Sequence, residues 1–136
     1  MKKILLLFVL VSLFSCDIGG DDDLPNIDFQ LMPIDSVEVP SEFTFGQVHQ
    51  ITVNYTQPNG CHEFNRFLVD PIGNTRIVAV VDTVYLDANC TEAIEEVSVS
   101  FNFNVLSLET YTFQFYQGKD ENGEDQYLII DVPVVE

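Results

Sequence analysis

Residues 97–105 alternate without a break: Val97, Val99, Phe101, Phe103 and Val105 fall on one side, Ser98, Ser100, Asn102 and Asn104 on the other. Successive side chains of a strand point to opposite faces, so this pattern describes a strand with one buried and one wet face. The same period sets Ile51, Val53 and Tyr55 against Gln50, Thr52 and Asn54, and returns at Tyr111, Phe113 and Phe115. Seven such runs can be placed, at 34–39, 48–56, 61–69, 75–86, 97–105, 111–116 and 127–135. Between them stand turn formers: Gln57-Pro58-Asn59-Gly60, Asp70-Pro71-Ile72-Gly73-Asn74 and the acidic stretch from Asp120 to Asp125. The expectation is an all-β fold, one domain over residues 31–136. The first run stops at Pro40 and is read as an edge strand. The run 75–86 is apolar almost throughout, so it is either covered on both faces or bulged so that its facing changes.

Ahead of the domain the chain opens Met1-Lys2-Lys3, runs apolar from Ile4 to Phe14, and reads Leu13-Phe14-Ser15-Cys16. That run is too short to span a bilayer, which takes about 20 residues, and a basic start before it is the pattern of a secretory leader. The ending resembles the lipobox of bacterial lipoproteins. The resemblance implies cleavage after residue 15 and acylation of Cys16, with chains such as palmitate placing the protein on a membrane in the cell envelope.

Loss of Lys2 and Lys3 with the leader leaves three bases, Arg66, Arg76 and Lys119, against twenty-two acids, a net charge of −19. Nucleic-acid binding rests on Lys and Arg neutralising phosphates, so this surface excludes nucleic acid as a partner. Anionic headgroups are excluded likewise, and the lipid bilayer is reached through acylated Cys16. Residues 16–30, with Asp21-Asp22-Asp23 after two glycines, are read as a flexible acidic tether. Acids close behind a lipidated Cys resemble the surface-export signals of Bacteroidota lipoproteins, which implies an outer-membrane location facing the surface. Here Ile18, Gly19 and Gly20 intervene, and periplasmic retention remains open. Asp35-Ser36-Val37 and Asp82-Thr83-Val84 resemble the O-glycosylation pattern of exported Bacteroidota proteins, which marks Ser36 and Thr83.

Seven runs in roughly a hundred residues match the strand count of an immunoglobulin-like β-sandwich. Leu108-Glu109-Thr110-Tyr111-Thr112-Phe113 resembles the tyrosine corner of such domains. Tyr111 would then bond back to the connection before it, and Phe113 would fill the core. There is no Trp, and the Cys spacing is not that of antibody domains. The chain as a whole resembles short Bacteroidota lipoproteins of unassigned function, a likeness that implies a location and no activity.

With Cys16 given to lipid, Cys61 and Cys90 remain as an even pair in an oxidising compartment, where a disulfide is expected. In sandwich order they sit in the second-to-third and fourth-to-fifth connections, which share one end of the fold with the acidic turn. His49 and His62 are the only imidazole bases and neither lies in a nucleophile motif, so no catalytic residue is assigned. No metal or cofactor is assigned either. The acidic turn lacks the ligand spacing of a calcium loop, and Asn122-Gly123 already reads as a hairpin turn. The expected role is a non-enzymatic, membrane-tethered module that binds a protein or glycan. The rivals are an accessory subunit of an envelope complex, docking by strand addition at an edge such as 34–39, and, third, a small hydrolase.

Overall fold

The computed structural model describes residues 24–136. The leader, Cys16 and the acidic tether through Asp23 lie outside the described residues. Strands follow in the order β1 (Ile27–Met32), β2 (Ile34–Glu38), β3 (Phe43–Thr44), β4 (Val48–Gln57), β5 (His62–Ile72), β6 (Thr75–Tyr85), β7 (Glu95–Asn104), β8 (Tyr111–Lys119), β9 (Asp125–Val132) and β10 (Val134–Val135). Among the described residues there is no helix. The fold is an all-β sandwich, as the alternation predicts.

The smaller sheet runs β2-β4-β7 and is antiparallel throughout, with Ile51 opposite Phe101 and Val53 opposite Val99. The larger sheet is built around β6. One edge of β6 pairs along its length with β5; the other pairs first with β8 and then with β1. β9 closes the sheet beyond β8. A short parallel pair, β3 with β10, covers one end. Within this two-sheet sandwich, β6 stands between β5 and β8 and runs parallel to β8. The connection between those parallel strands crosses to the smaller sheet, forms β7 there, and returns.

Inward residues of both sheets meet in one core of Met32, Ile34, Phe43, Ile51, Val53, Tyr55, Val78, Val80, Phe103, Val105, Tyr111, Phe113, Phe115 and Val132. At the end closed by β3, the Phe43 and Phe103 rings each meet those of Tyr111 and Phe113 edge to face, with centroids 4.9 to 6.0 Å apart. The Arg76 guanidinium lies 5.4 Å from the Tyr111 ring centroid and 5.8 Å from that of Phe103. Such contacts add to area burial because the ring edges are positive and the faces negative. The tyrosine corner is formed: the Tyr111 hydroxyl accepts the backbone N–H groups of Leu106 at 3.2 Å and Ser107 at 3.1 Å. Phe113 is fully buried beside it.

Several boundaries differ from the sequence reading: β8 runs on to Lys119, and β9 begins at Asp125, inside the stretch read as the acidic turn. The sheet begins at Ile27, inside the stretch assigned to the tether, because Ile27, Phe29 and Leu31 alternate with Asp28 and Gln30 as β1. Residues 70–72 belong to β5, with Pro71 opposite Arg76. β5 is an edge of the sheet, where a missing N–H costs nothing in the ladder. The turn is Gly73-Asn74 alone, with Gly73 at φ 59°, a two-residue hairpin that needs a glycine at its first position. Last, Pro33 bends the chain from the larger sheet (β1) to the smaller (β2). Gly118 of β8 lies beneath it: a Cβ there would stand 3.2 Å from Pro33 Cγ.

Candidate docking face

A two-layer sandwich whose outer faces meet water should carry apolar residues inward and polar ones outward. The smaller sheet obeys. Its outer face holds Thr52 bonded to Ser100 at 2.8 Å, Asn54 bonded to Ser36 and Ser98, and Thr56 donating to Asp35 at 2.7 Å. The larger sheet does not. On β6 the residues Val78, Val80 and Asp82 point into the core, and Ile77, Ala79 and Val81 point out, with no bulge in β6 itself. Around them the outer face presents Phe29 and Leu31 from β1, Leu68 and Ile72 from β5, Tyr116 from β8, and Tyr127 and Ile129 from β9. Phe29, Ile72 and Ile129 are each more than half exposed.

This face has a concavity with a structural cause. The edge of β6 passes from β8, paired through Val78, to β1, paired from Val80, and the two neighbours diverge at that point. The fork leaves a cavity of about 300 Å³. Leu31, Leu68, Ile77 and Ala79 line it with aliphatic carbon, Tyr116 and Tyr127 flank it, and Asp70, Lys119 and Asp125 stand at its rim. The two tyrosine rings are 6.0 Å apart and set edge to face. A shallower hollow of about 220 Å³ beside it shares Leu31 and Leu68 and adds Phe29, Arg66 and Val81.

Charges at the rim are mostly engaged. Lys119 donates to Asp125 at 2.6 Å, and this bond with the nearby carboxylate raises the ammonium pKa. Arg66 lies 5.5 Å over the Phe29 ring and donates to Asn65. Tyr85 donates to Glu63 at 2.6 Å, which raises its phenol pKa, and Thr112 donates to Asp131. Asp70 has no hydrogen-bond or ion-pair partner among the described residues.

The residues singled out in the sequence fall elsewhere. Cys61 and Cys90 are joined in a disulfide, with Cα atoms 5.2 Å apart. Beside it the Gly60 N–H donates to the Thr91 carbonyl, so the β4–β5 and β6–β7 connections form one end of the fold. Ser36 is exposed; Thr83 is buried and its hydroxyl accepts from Asn65 at 2.9 Å. Of the two, Ser36 is the accessible hydroxyl.

His49 Nε2 accepts the Thr44 N–H at 3.0 Å, and His62 sits between Asn59 and Gln30. Neither imidazole touches a hydroxyl or thiol among the described residues. In the acidic turn, Asp120 accepts the N–H groups of Asn122 and Glu124 and the amide of Gln126. Its carboxylate shapes the hairpin. Among the described residues no three His, Cys, Asp or Glu side chains are grouped to hold a metal.

Two features escaped the sequence reading. One is the apolar outer face, signalled by the doubly apolar run 75–86. The other is a buried polar trio: Tyr55 donates to Asp82 Oδ1 at 2.7 Å, and Gln57 Nε2 donates to Asp82 Oδ2 and to the Tyr55 hydroxyl, both at 3.1 Å. An acid within an apolar strand must find donors, and Asp82 between Val81 and Thr83 carried that signal.

No curated protein and no solved structure matches the chain. The family model described as the ORF11 beta-sandwich domain matches residues 51–128, from within β4 to within β9. The match takes in β5 to β8 and most of β4, but not β1, which forms one arm of the fork, nor β2; it covers more than half of the sequence. The chain belongs to the ORF11 beta-sandwich domain family.

Proposed function

We propose that this protein is a non-enzymatic binding module, tethered to an envelope membrane by lipid on Cys16, that docks a protein ligand on the outer face of its larger sheet. The observation that carries the reading is the contrast between the two outer faces. Water wets the hydroxyl and amide ladder of the smaller sheet, whereas the larger sheet leaves Phe29, Leu31, Leu68, Ile72 and Ile129 uncovered. A contiguous apolar face ringed by polar groups marks a surface that another molecule covers. Protein is favoured over glycan because the cavity floor is aliphatic.

The face is favoured over strand addition at β2. That edge is only five residues long and bulged between Ile34 and Ser36, two devices that blunt an edge. The acidic tether and the lipobox-like leader support an outer-membrane location facing the surface.

Two measurements test the reading. Cys16→Ala should move the protein from the detergent phase to the aqueous phase on phase partitioning, and an unchanged detergent signal refutes the anchor. Co-purification from solubilised envelopes should yield a protein partner with the native chain and lose it with Leu68→Glu. A partner retained at full yield by that variant refutes docking on this face.

A further inference from the structure

Building on the docking reading, we propose the chemistry of the partner: a basic protein segment that seats one large apolar side chain in the fork cavity and flanks it with Lys or Arg. The floor formed by Leu31, Leu68, Ile77 and Ala79 offers no hydrogen-bond donor or acceptor from side chains, so what enters it is hydrocarbon or an aromatic ring. Its position on the apolar face, beside the edge-to-face pair Tyr116 and Tyr127, is that of a pocket for a single anchor.

Charge complementarity specifies the surroundings of that anchor. The outer face carries four acids, Glu63, Asp70, Asp125 and Asp131, and two cations. Both cations are occupied within the fold, Lys119 by Asp125 and Arg66 over Phe29. Asp70, at the cavity rim, is the acid left without a partner among the described residues. Behind this face stands a domain whose three bases are outnumbered by its acids, and the summed field draws cationic partners and repels anionic ones.

The same charges argue against a second copy of this chain. A symmetric face-to-face pair apposes one patch with itself, which would bring Asp70, Asp125 and Asp131 of both copies together.

The test is a titration of the isotope-labelled full chain in detergent, followed by NMR, with three synthetic peptides of equal length. The first carries a Trp and a Leu among lysines, the second the same apolar pair among glutamates, and the third lysines with serines in place of the apolar pair. The first peptide alone should shift the signals of Leu31, Leu68, Ala79 and Tyr127. Leu68→Glu should weaken its binding about tenfold, and Asp70→Lys about fivefold, with less salt dependence. The glutamate peptide should recover binding to Asp70→Lys. Both substitutions fall at exposed outer-face positions, and an unchanged melting temperature confirms that each variant is folded.

If the lysine and glutamate peptides shift the fork equally, the charge inference is overturned and the docking reading stands. If the lysine–serine peptide binds as well as the first, the apolar anchor is overturned. If no peptide shifts the fork residues, both the inference and the docking reading fall. Sedimentation that shows a dimer of the native chain, abolished by Leu68→Glu, assigns the face to a second copy and overturns the basic partner.

Discussion

Removing one oxygen at Tyr55 asks how the two sheets are tied across the core. Tyr55 belongs to β4 in the smaller sheet and Asp82 to β6 in the larger, so their 2.7 Å bond is a polar link between layers otherwise held by hydrocarbon. Both side chains are buried, Asp82 completely. In Tyr55→Phe the ring stays, so little cavity forms, but Asp82 loses the hydroxyl donor and Gln57 Nε2 loses the hydroxyl acceptor. The Asp82 carboxyl keeps Gln57 as its remaining donor. A hydrogen bond to a charged group contributes roughly 1.5–3 kcal/mol. We therefore expect a loss of about 2 kcal/mol, or a fall in melting temperature of about 10 °C for a domain of this size. Asp82→Asn, whose amide oxygen still accepts from Tyr55, should cost less, and the double variant should cost less than the sum of the two single ones. Burial, then the bond to Asp82 and its negative charge, pushes the Tyr55 phenol above its ordinary value of 10.0. Because the folded value is the higher one, this contribution is fully present below pH 10 and is lost as pH rises above it and the unfolded phenol ionises. Native protein should therefore lose stability above pH 10 more steeply than Tyr55→Phe. Circular dichroism melts across that range provide the readout. A melting temperature within 2 °C of native, with strict additivity in the double variant, would refute the link.

Two further substitutions probe the frame that carries the docking face. Tyr111→Phe leaves the N–H groups of Leu106 and Ser107 without their acceptor and should lower stability by about 1–2 kcal/mol, read as a reduced urea midpoint with an unchanged slope. Replacing Cys61 and Cys90 together by Ala opens a link across 29 residues and should lower stability by about 3.5 kcal/mol on the chain-entropy account. Peptide mapping of the native protein without reductant should recover the two cysteines joined, and recovery of both as free thiols refutes the bridge.

The alternation at 97–105, 48–56 and 111–116 was legible because those strands have one dry and one wet face, and the sandwich follows from them. The tyrosine corner was legible because it is local: Tyr111 reaches back only four and five residues. The disulfide followed from compartment and connection order, without knowledge of which strands pair. Strand order was not legible. The placement of β6 between β5 and β8 depends on a pairing between segments more than thirty residues apart that no local pattern encodes. The turn at 70–74 misled for a physical reason as well: Asp70 and Pro71 are turn formers, but an edge strand tolerates both, and only Gly73 needed a left-handed backbone.

The missed strand and the missed face have one cause. Reading strands by period two assumes that the apolar half of each alternation turns inward, so Ile27 and Phe29, within the stretch read as an acidic tether, were left outside the domain. In the structure that apolar half turns outward, onto the face where Ile77, Ala79 and Val81 also lie. The run 75–86 had already posed the question, since a strand apolar on both sides must be covered twice. One cover is the core. The fold supplies the second cover only in part: Val81 is buried beneath its outer-face neighbours, while β1 adds Ile27, Phe29 and Leu31 as exposed hydrocarbon. Adding a whole strand of outward hydrocarbon to an acidic domain costs solubility and adds little to the core, where β1 contributes only Met32. That expense is understandable if the rest of the second cover comes from outside the chain, which is why the search for function belongs at the fork between β1 and β8 and not at the disulfide-bridged end.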